Sequence, residues 1–245
     1  MKVLLTVAYD GSGYYGWQRQ RGFVTVQQRL EEGLSALLKK DIVVRGASRT
    51  DTGVHSLGQR AVFTDDTLTI PIEKIPYALN SFLPEDIVIT AAEEVDESFH
   101  PQYSVTDKTY EYKILNADFK NPMLNRYTEF VRQRLDVDKM RMACPYFLGE
   151  HDFKAFCATG GSSKTTVRSI YSLEVEKEDN IITIRINGNG FLYNMVRIVA
   201  GTLVYVGLSK IKPEEIEDII SSCDRARAGK TLSPNGLTLM EVNYE

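Results

Sequence analysis

The sequence predicts an α+β fold: two similar α/β halves with a largely antiparallel, mixed sheet and a central cleft where a ligand site is expected. Two observations carry this prediction. The first hundred residues read strand, helix, strand, strand, helix, strand, and the remainder restates that order loosely. Hairpins, such as the one turning at Asp179-Asn180, are mixed with helices, whereas a doubly wound sheet would alternate strand and helix throughout.

The elements follow from periodicity. Lys2–Tyr9 is an apolar strand. Residues 25–40 put Val26, Leu30, Leu34, Leu37 and Leu38 on one helical stripe, with Thr25 as N-cap. Residues 42–47 and 59–64 read as strands flanking a polar loop. Residues 71–83 open with proline and read as a helix, followed by the strand Ile87–Val95. Beyond a boundary placed between 1–105 and 106–245, residues 108–115 alternate, with Tyr110, Tyr112 and Ile114 on one face. Residues 137–148 are helical, 171–177 and 181–187 form the hairpin, 193–206 and 213–223 are helices, and Leu237–Tyr244 is a closing strand.

At 245 residues, 43% apolar and 25% charged, the chain can bury a substantial core. Its 17 glycines and 8 prolines exclude collagen-like and low-complexity classes. The formal charge of −4 does not by itself suggest nucleic acid as a partner, but its distribution is uneven. Residues 1–50 carry eight Lys/Arg against four acids, and residues 51–100 carry two against ten. Such a basic stretch is either an electrostatic footprint for a polyanion or unevenly charged solvated surface. Cys144, Cys157 and Cys223 lie far apart without a C-x-x-C pair, which points to a reducing compartment and away from a disulfide framework or zinc site. His55, His100 and His151 are equally scattered, so no metal cluster is expected. The N-terminal apolar stretch is too short for a secretory signal, and residues 191–208 are interrupted by Asn194 and Arg197, which makes a poor membrane span. The expectation is a cytoplasmic protein without membrane, metal or cofactor.

Four segments can carry chemistry. Gly11-Ser12-Gly13-Tyr14-Tyr15-Gly16 matches G-x-G-x-x-G after a strand, the fingerprint of a dinucleotide site. The context contradicts that reading: the helix signal waits until Thr25, and no acidic residue ends the second strand. Tyr14, Tyr15, Trp17 and Phe23 instead interleave with Gln18, Arg19, Gln20 and Arg21, which suits a loop that stacks on bases and grips phosphates. The competing reading is a surface loop whose aromatics tuck into the core.

The second segment, Ser48-Arg49-Thr50-Asp51-Thr52-Gly53-Val54-His55, is a polar loop between apolar strands, where catalytic groups tend to sit. A carboxylate in a partly dry cleft needs a cation to stay ionised, and Arg49 is two residues from Asp51. Asp51 is then either a nucleophile or base, or the cap of a plain turn. In the third segment, Tyr110 is a core tyrosine or, facing a cleft, a platform for a base. The fourth, Phe191 to Arg197, enters an apolar helix. Arg197 cannot be buried there unpaired, so it either snorkels or meets a carboxylate, for which Asp51 is available.

These segments together resemble the tRNA pseudouridine synthase A family. The similarity runs nearly end to end, through Tyr9-Asp10-Gly11 with Tyr15-Gly16-Trp17-Gln18, Thr25-Val26-Gln27, Arg49-Thr50-Asp51 with Gly53-Val54-His55, Lys108-Thr109-Tyr110-Glu111-Tyr112, Phe191 to Arg197 with Gly201-Thr202-Leu203, and Gly236-Leu237. Three positions depart from the family pattern: Gln102 stands where an arginine is usual, and Thr52 and Ser233 where alanine is commoner.

The resemblance implies isomerisation of uridine to pseudouridine at positions 38, 39 and 40 of the tRNA anticodon stem-loop, by a cytoplasmic homodimer without metal or nucleotide cofactor. It implies Asp51 as the catalytic residue, with Arg49, Tyr110 and Arg197 on the substrate. Trp17, Gln18, Arg19, Arg21, His55 and Gln59 are the expected further RNA contacts. A catalytically silent RNA-binding module would share the basic loop and Tyr110 but would not need an aspartate among arginines.

Overall fold

Strand β1 (Lys2–Tyr9) lies within the first of two units in a computed structural model that describes residues 1–161 and 163–244. That unit comprises Met1–Thr106 and Thr238–Glu245. β1 pairs antiparallel on one side with β3 (His55–Thr64) and on the other with β4 (Ile87–Val95). Its alternate residues Val3, Leu5, Val7 and Tyr9 join a core with α1 (Val26–Leu38) and α2 (Ile75–Asn80). α1 starts where the sequence indicates, with Thr25 Oγ1 accepting the Gln28 N–H at 3.3 Å. Val26, Leu30 and Leu34 are fully buried, which contributes roughly 5–9 kcal/mol of hydrophobic stabilisation before the ordering entropy is counted.

The expected strand at 42–47 shrinks to β2 (Arg45–Gly46), which pairs with Val62 and Ala61 of β3. The expected helix at 71–83 is a 3-10 turn, Ile72–Lys74, followed by the short α2 with Pro76 in its first turn. Proline is favoured there because its missing N–H has no helical partner to lose.

The second unit comprises Asp107–Leu237. Its sheet runs β5 (Val105–Asn116), β9 (Ile181–Gly188), β8 (Val167–Glu178), β7 (Gly149–Asp152), all antiparallel, with β6 (Glu129–Val131) parallel to the last residues of β5, Ile114 to Asn116. Its helices are α3 (Val137–Ala143), α4 (Met195–Gly207) and α5 (Glu215–Ser222). α3 ends earlier than expected, because Pro145 cannot continue the ladder and Cys144–Phe147 tightens into a 3-10 turn.

One assignment is corrected. The closing strand β10 (Leu237–Tyr244) was expected to belong to the second half, yet from Thr238 onward it belongs to the first unit. It lies parallel to β3, with Thr238 opposite His55 and Leu239 opposite Ser56. The approach is close enough that a Cβ on Gly58 would stand 2.1 Å from the Met240 carbonyl oxygen. The fold is thus α+β with a mostly antiparallel sheet. Among the described residues no helix is long and apolar enough to cross a membrane.

Candidate active-site loop and its supports

The loop from Ser48 to Val54 joins β2 to β3 and is held from below by backbone. Trp17 N–H donates to the Thr50 carbonyl at 3.1 Å, Gly53 N–H donates to the Tyr14 carbonyl at 3.3 Å, and Val54 N–H closes the turn on the Asp51 carbonyl at 3.1 Å. The glycines of the G-x-G-x-x-G stretch make this docking possible. A Cβ on Gly11 would lie 1.9 Å from the Val54 oxygen, and one on Gly16 would lie 2.5 Å from the Thr50 oxygen. Gly16 also takes φ +80°, a region other residues avoid. No helix follows until Val26, so the motif builds a seat for the loop and not a pyrophosphate site.

Side chains fix the loop from its other faces. Tyr9 Oη and Thr50 Oγ1 share a 2.8 Å hydrogen bond. Gln59 accepts the Ser48 N–H at 3.1 Å and donates to the Ser48 carbonyl at 2.7 Å, so one amide satisfies both backbone groups of a buried residue. His55 Nδ1 accepts the Gly11 N–H at 3.1 Å. Asp51 is half-buried at the turn held by these contacts.

The expected RNA contacts separate into two sets. Trp17, His55 and Gln59 are interior, at 2%, 5% and 0% exposure. The Trp17 indole lies under β2, where a Cβ on Gly46 would meet its Nε1 at 2.3 Å. His55 and Gln59 hold the loop through their buried polar groups, and Trp17, though nearly covered, also lines the pocket beside it. Gln18, Arg19 and Arg21 are exposed. Arg19 is paired with Glu31 at 2.5 Å. Arg49 is exposed, and with Gln18 it lines a pocket of about 300 Å³ that Arg45, His100 and Gln102 also line. His100 and Gln102 are distant from the loop in sequence; the basic charge of the first fifty residues points to Arg45 alone.

In the second unit, Tyr110 on β5 is 7% exposed and meets Phe191 edge-on at 5.2 Å between ring centroids. Arg197 sits in the first turn of α4, half-buried. Its Nε donates to the Leu232 carbonyl at 2.7 Å, the Leu232 N–H returns to the Arg197 carbonyl at 3.3 Å, and Nη1 donates to Asn194 Oδ1 at 2.6 Å. Gly201 lets the 229–232 segment approach this closely, since a Cβ there would lie 1.9 Å from the Lys230 oxygen. Lys108, two residues from Tyr110 on the same strand, has its ammonium pushed down to about 8 by burial and by Arg168. Tyr112, on the strand face that carries Tyr110, donates its hydroxyl to the Ser233 carbonyl at 2.7 Å, and burial raises its pKa.

Comparison with known proteins gives this architecture a class. The model of the tRNA pseudouridine synthase family matches residues 5–104 and 143–245. The chain therefore belongs to that family, isomerases that convert uridine in tRNA to pseudouridine. Within it, the relatives carry one name. The chain is 48% identical to tRNA pseudouridine synthase A of Thermoanaerobacter sp. (strain X514) over 99% of both chains, and 50% identical to that of Ruminiclostridium cellulolyticum over 99% of both. It is 46% identical to that of Bacillus pumilus over the full length of each. A solved Cbf5–Nop10–Gar1 complex aligns with 97% of this chain and 58% of its own at 12% identity and a TM-score of 0.35, too weak a likeness to bear on fold or function.

Proposed function

We propose that this protein isomerises uridine at positions 38, 39 and 40 of the tRNA anticodon stem-loop, with Asp51 as the essential carboxylate. The observation that carries the reading is the seating of the Asp51 loop on backbone from two sides, because a catalytic group needs a fixed position more than it needs a particular neighbour. The reaction needs no group donor: the glycosidic C1′–N1 bond breaks, the uracil turns, C1′–C5 forms, the C5 proton leaves and N1 is protonated.

Once tRNA is bound, Arg49 and Arg197 keep the carboxylate ionised and offset charge on the detached base. The hydrogen bonds of Arg197 to Leu232 and Asn194 support a fixed guanidinium in that role. Tyr110, braced by Phe191, stacks on the target base and helps remove the C5 proton. Extruding a stacked, paired uridine costs roughly a few kcal/mol, which the basic first fifty residues offset through phosphate contacts. The protein works as a homodimer on one tRNA, in the cytoplasm, in keeping with three free cysteines.

The test is tritium release from an anticodon stem-loop tRNA labelled at uracil C5. Release by wild type and none by D51A, with tRNA binding retained by both, is the expected result. Release by both would remove Asp51 from the chemistry. Binding without release by either, across several uridine-containing stem-loops, would leave an RNA-binding module.

A further inference from the structure

The pocket beside the Asp51 loop has an unusual hydrogen-bond inventory. Elsewhere in the same unit Arg19, Arg29 and Arg60 are paired with Glu31, Glu32 and Glu93, while the exposed Arg21 does not line the pocket. Arg45 and Arg49 line the pocket, are exposed, and have no carboxylate partner among the described residues. Among the described residues the exposed side-chain amides of Gln18 and Gln102 at the same pocket have no hydrogen-bond partner either. Gln27 is different: its amide is committed to Glu31 and to the Val44 carbonyl. No acidic residue lines this pocket, although Asp41 and Glu97 line the neighbouring one that shares Arg45 and His100.

Two unpaired guanidinium groups and two unspent amides around about 300 Å³, with acids excluded, form a cradle for an anion with several acceptor oxygens. Its position is set by chemistry already described. Arg49 is two residues from Asp51, so an anion held here lies within about one nucleotide of the target. Arg45 is anchored by the pairing of β2 with β3, which gives the guanidinium a rigid base.

We propose that Arg45, with Gln102 facing the same pocket, binds a backbone phosphate of the RNA strand next to the target uridine. This rests on the tRNA reading above and assigns Arg45 a positioning role in substrate binding, with no part in the bond changes. A phosphate contact lowers KM without altering the isomerisation step and is read through counterion release.

The test compares wild type, R45A and Q102R in steady-state tritium release and in RNA binding at a series of salt concentrations. R45A is expected to raise KM about tenfold, with kcat falling less than twofold, and to flatten the salt slope of binding by about one. Q102R adds a cation to the same pocket and is expected to steepen the slope by about one. R45A that melts as wild type does and keeps its KM and slope overturns the assignment, as does Q102R without effect. An inactive wild type whose RNA binding still loses slope in R45A would sink the catalytic reading and leave the phosphate site standing.

Discussion

Gly16→Ala tests whether the glycine seat positions the catalytic loop. The new methyl would sit 2.5 Å from the Thr50 oxygen, 3.2 Å from the Asp51 carbonyl carbon and 3.3 Å from the Thr52 nitrogen. These are backbone atoms, so no rotamer change relieves the contact. Restoring an ordinary separation of about 3.4 Å to the Thr50 oxygen moves the loop by roughly 1 Å. Holding alanine at φ +80° adds about 1–2 kcal/mol, and the overpacking about 1–3 kcal/mol, so the expected destabilisation is roughly 2–5 kcal/mol. In a protein of this length that lowers Tm by about 5–15 °C. A displacement of this size at a reacting group costs about a hundredfold in kcat, while KM for tRNA, set by contacts elsewhere, changes less than about threefold.

The assay is tritium release at saturating tRNA, well below the variant's Tm. Gly160→Ala is the matched control. Gly160 has φ +95° with nothing within 4 Å of a Cβ, so it carries the backbone strain without a clash. The G160A variant is expected to lose stability and keep kcat. If G16A is folded and turns over within threefold of wild type, the seat is a packing detail and the argument from loop position fails.

Two further outcomes follow from the same contacts. Gln59→Leu strips both partners from the buried Ser48 backbone and is expected to cost about 2–4 kcal/mol, read by urea or thermal unfolding; an unchanged midpoint would show that the clamp is dispensable. Lys108 has a folded pKa of about 8, below its unfolded 10.5, so above pH 8 the unfolded chain binds more protons and stability rises. Between pH 8 and 10 that gain is about 2 kcal/mol, and Lys108→Met is expected to remove it and to be the more stable form at pH 7; parallel stability–pH curves for the two proteins would contradict the assigned pKa.

Much of the frame was legible in the chain. β1, β4 and β10 occupy the residues their alternation marks, and α1 begins behind the Thr25 cap. These signals are local: a side-chain period of two or 3.6 is written in consecutive residues and needs no knowledge of the partner surface. β6 and β7 went unread because three and four residues, polar at Gly149–Asp152, are too short to show a period. The Asp51 loop was found as a polar break between apolar strands, and its aspartate among arginines was visible in the residues themselves.

Contacts between residues distant in sequence set the rest. Nothing in Gly11 to Gly16 says whether its glycines admit a phosphate or another loop; the approach of Thr50 and Val54 does. Gln59 and His55 have the composition of an RNA surface, yet burial makes them supports of the loop, and Arg45 becomes significant only where β2 brings it beside Trp17, Arg49 and Gln102. β10 leaves its sequence neighbours for β3 because a backbone edge pairs with whichever strand the chain can bring to it. Periodicity along the chain specifies which elements form, and the distances between elements specify which side chains remain exposed to meet a substrate.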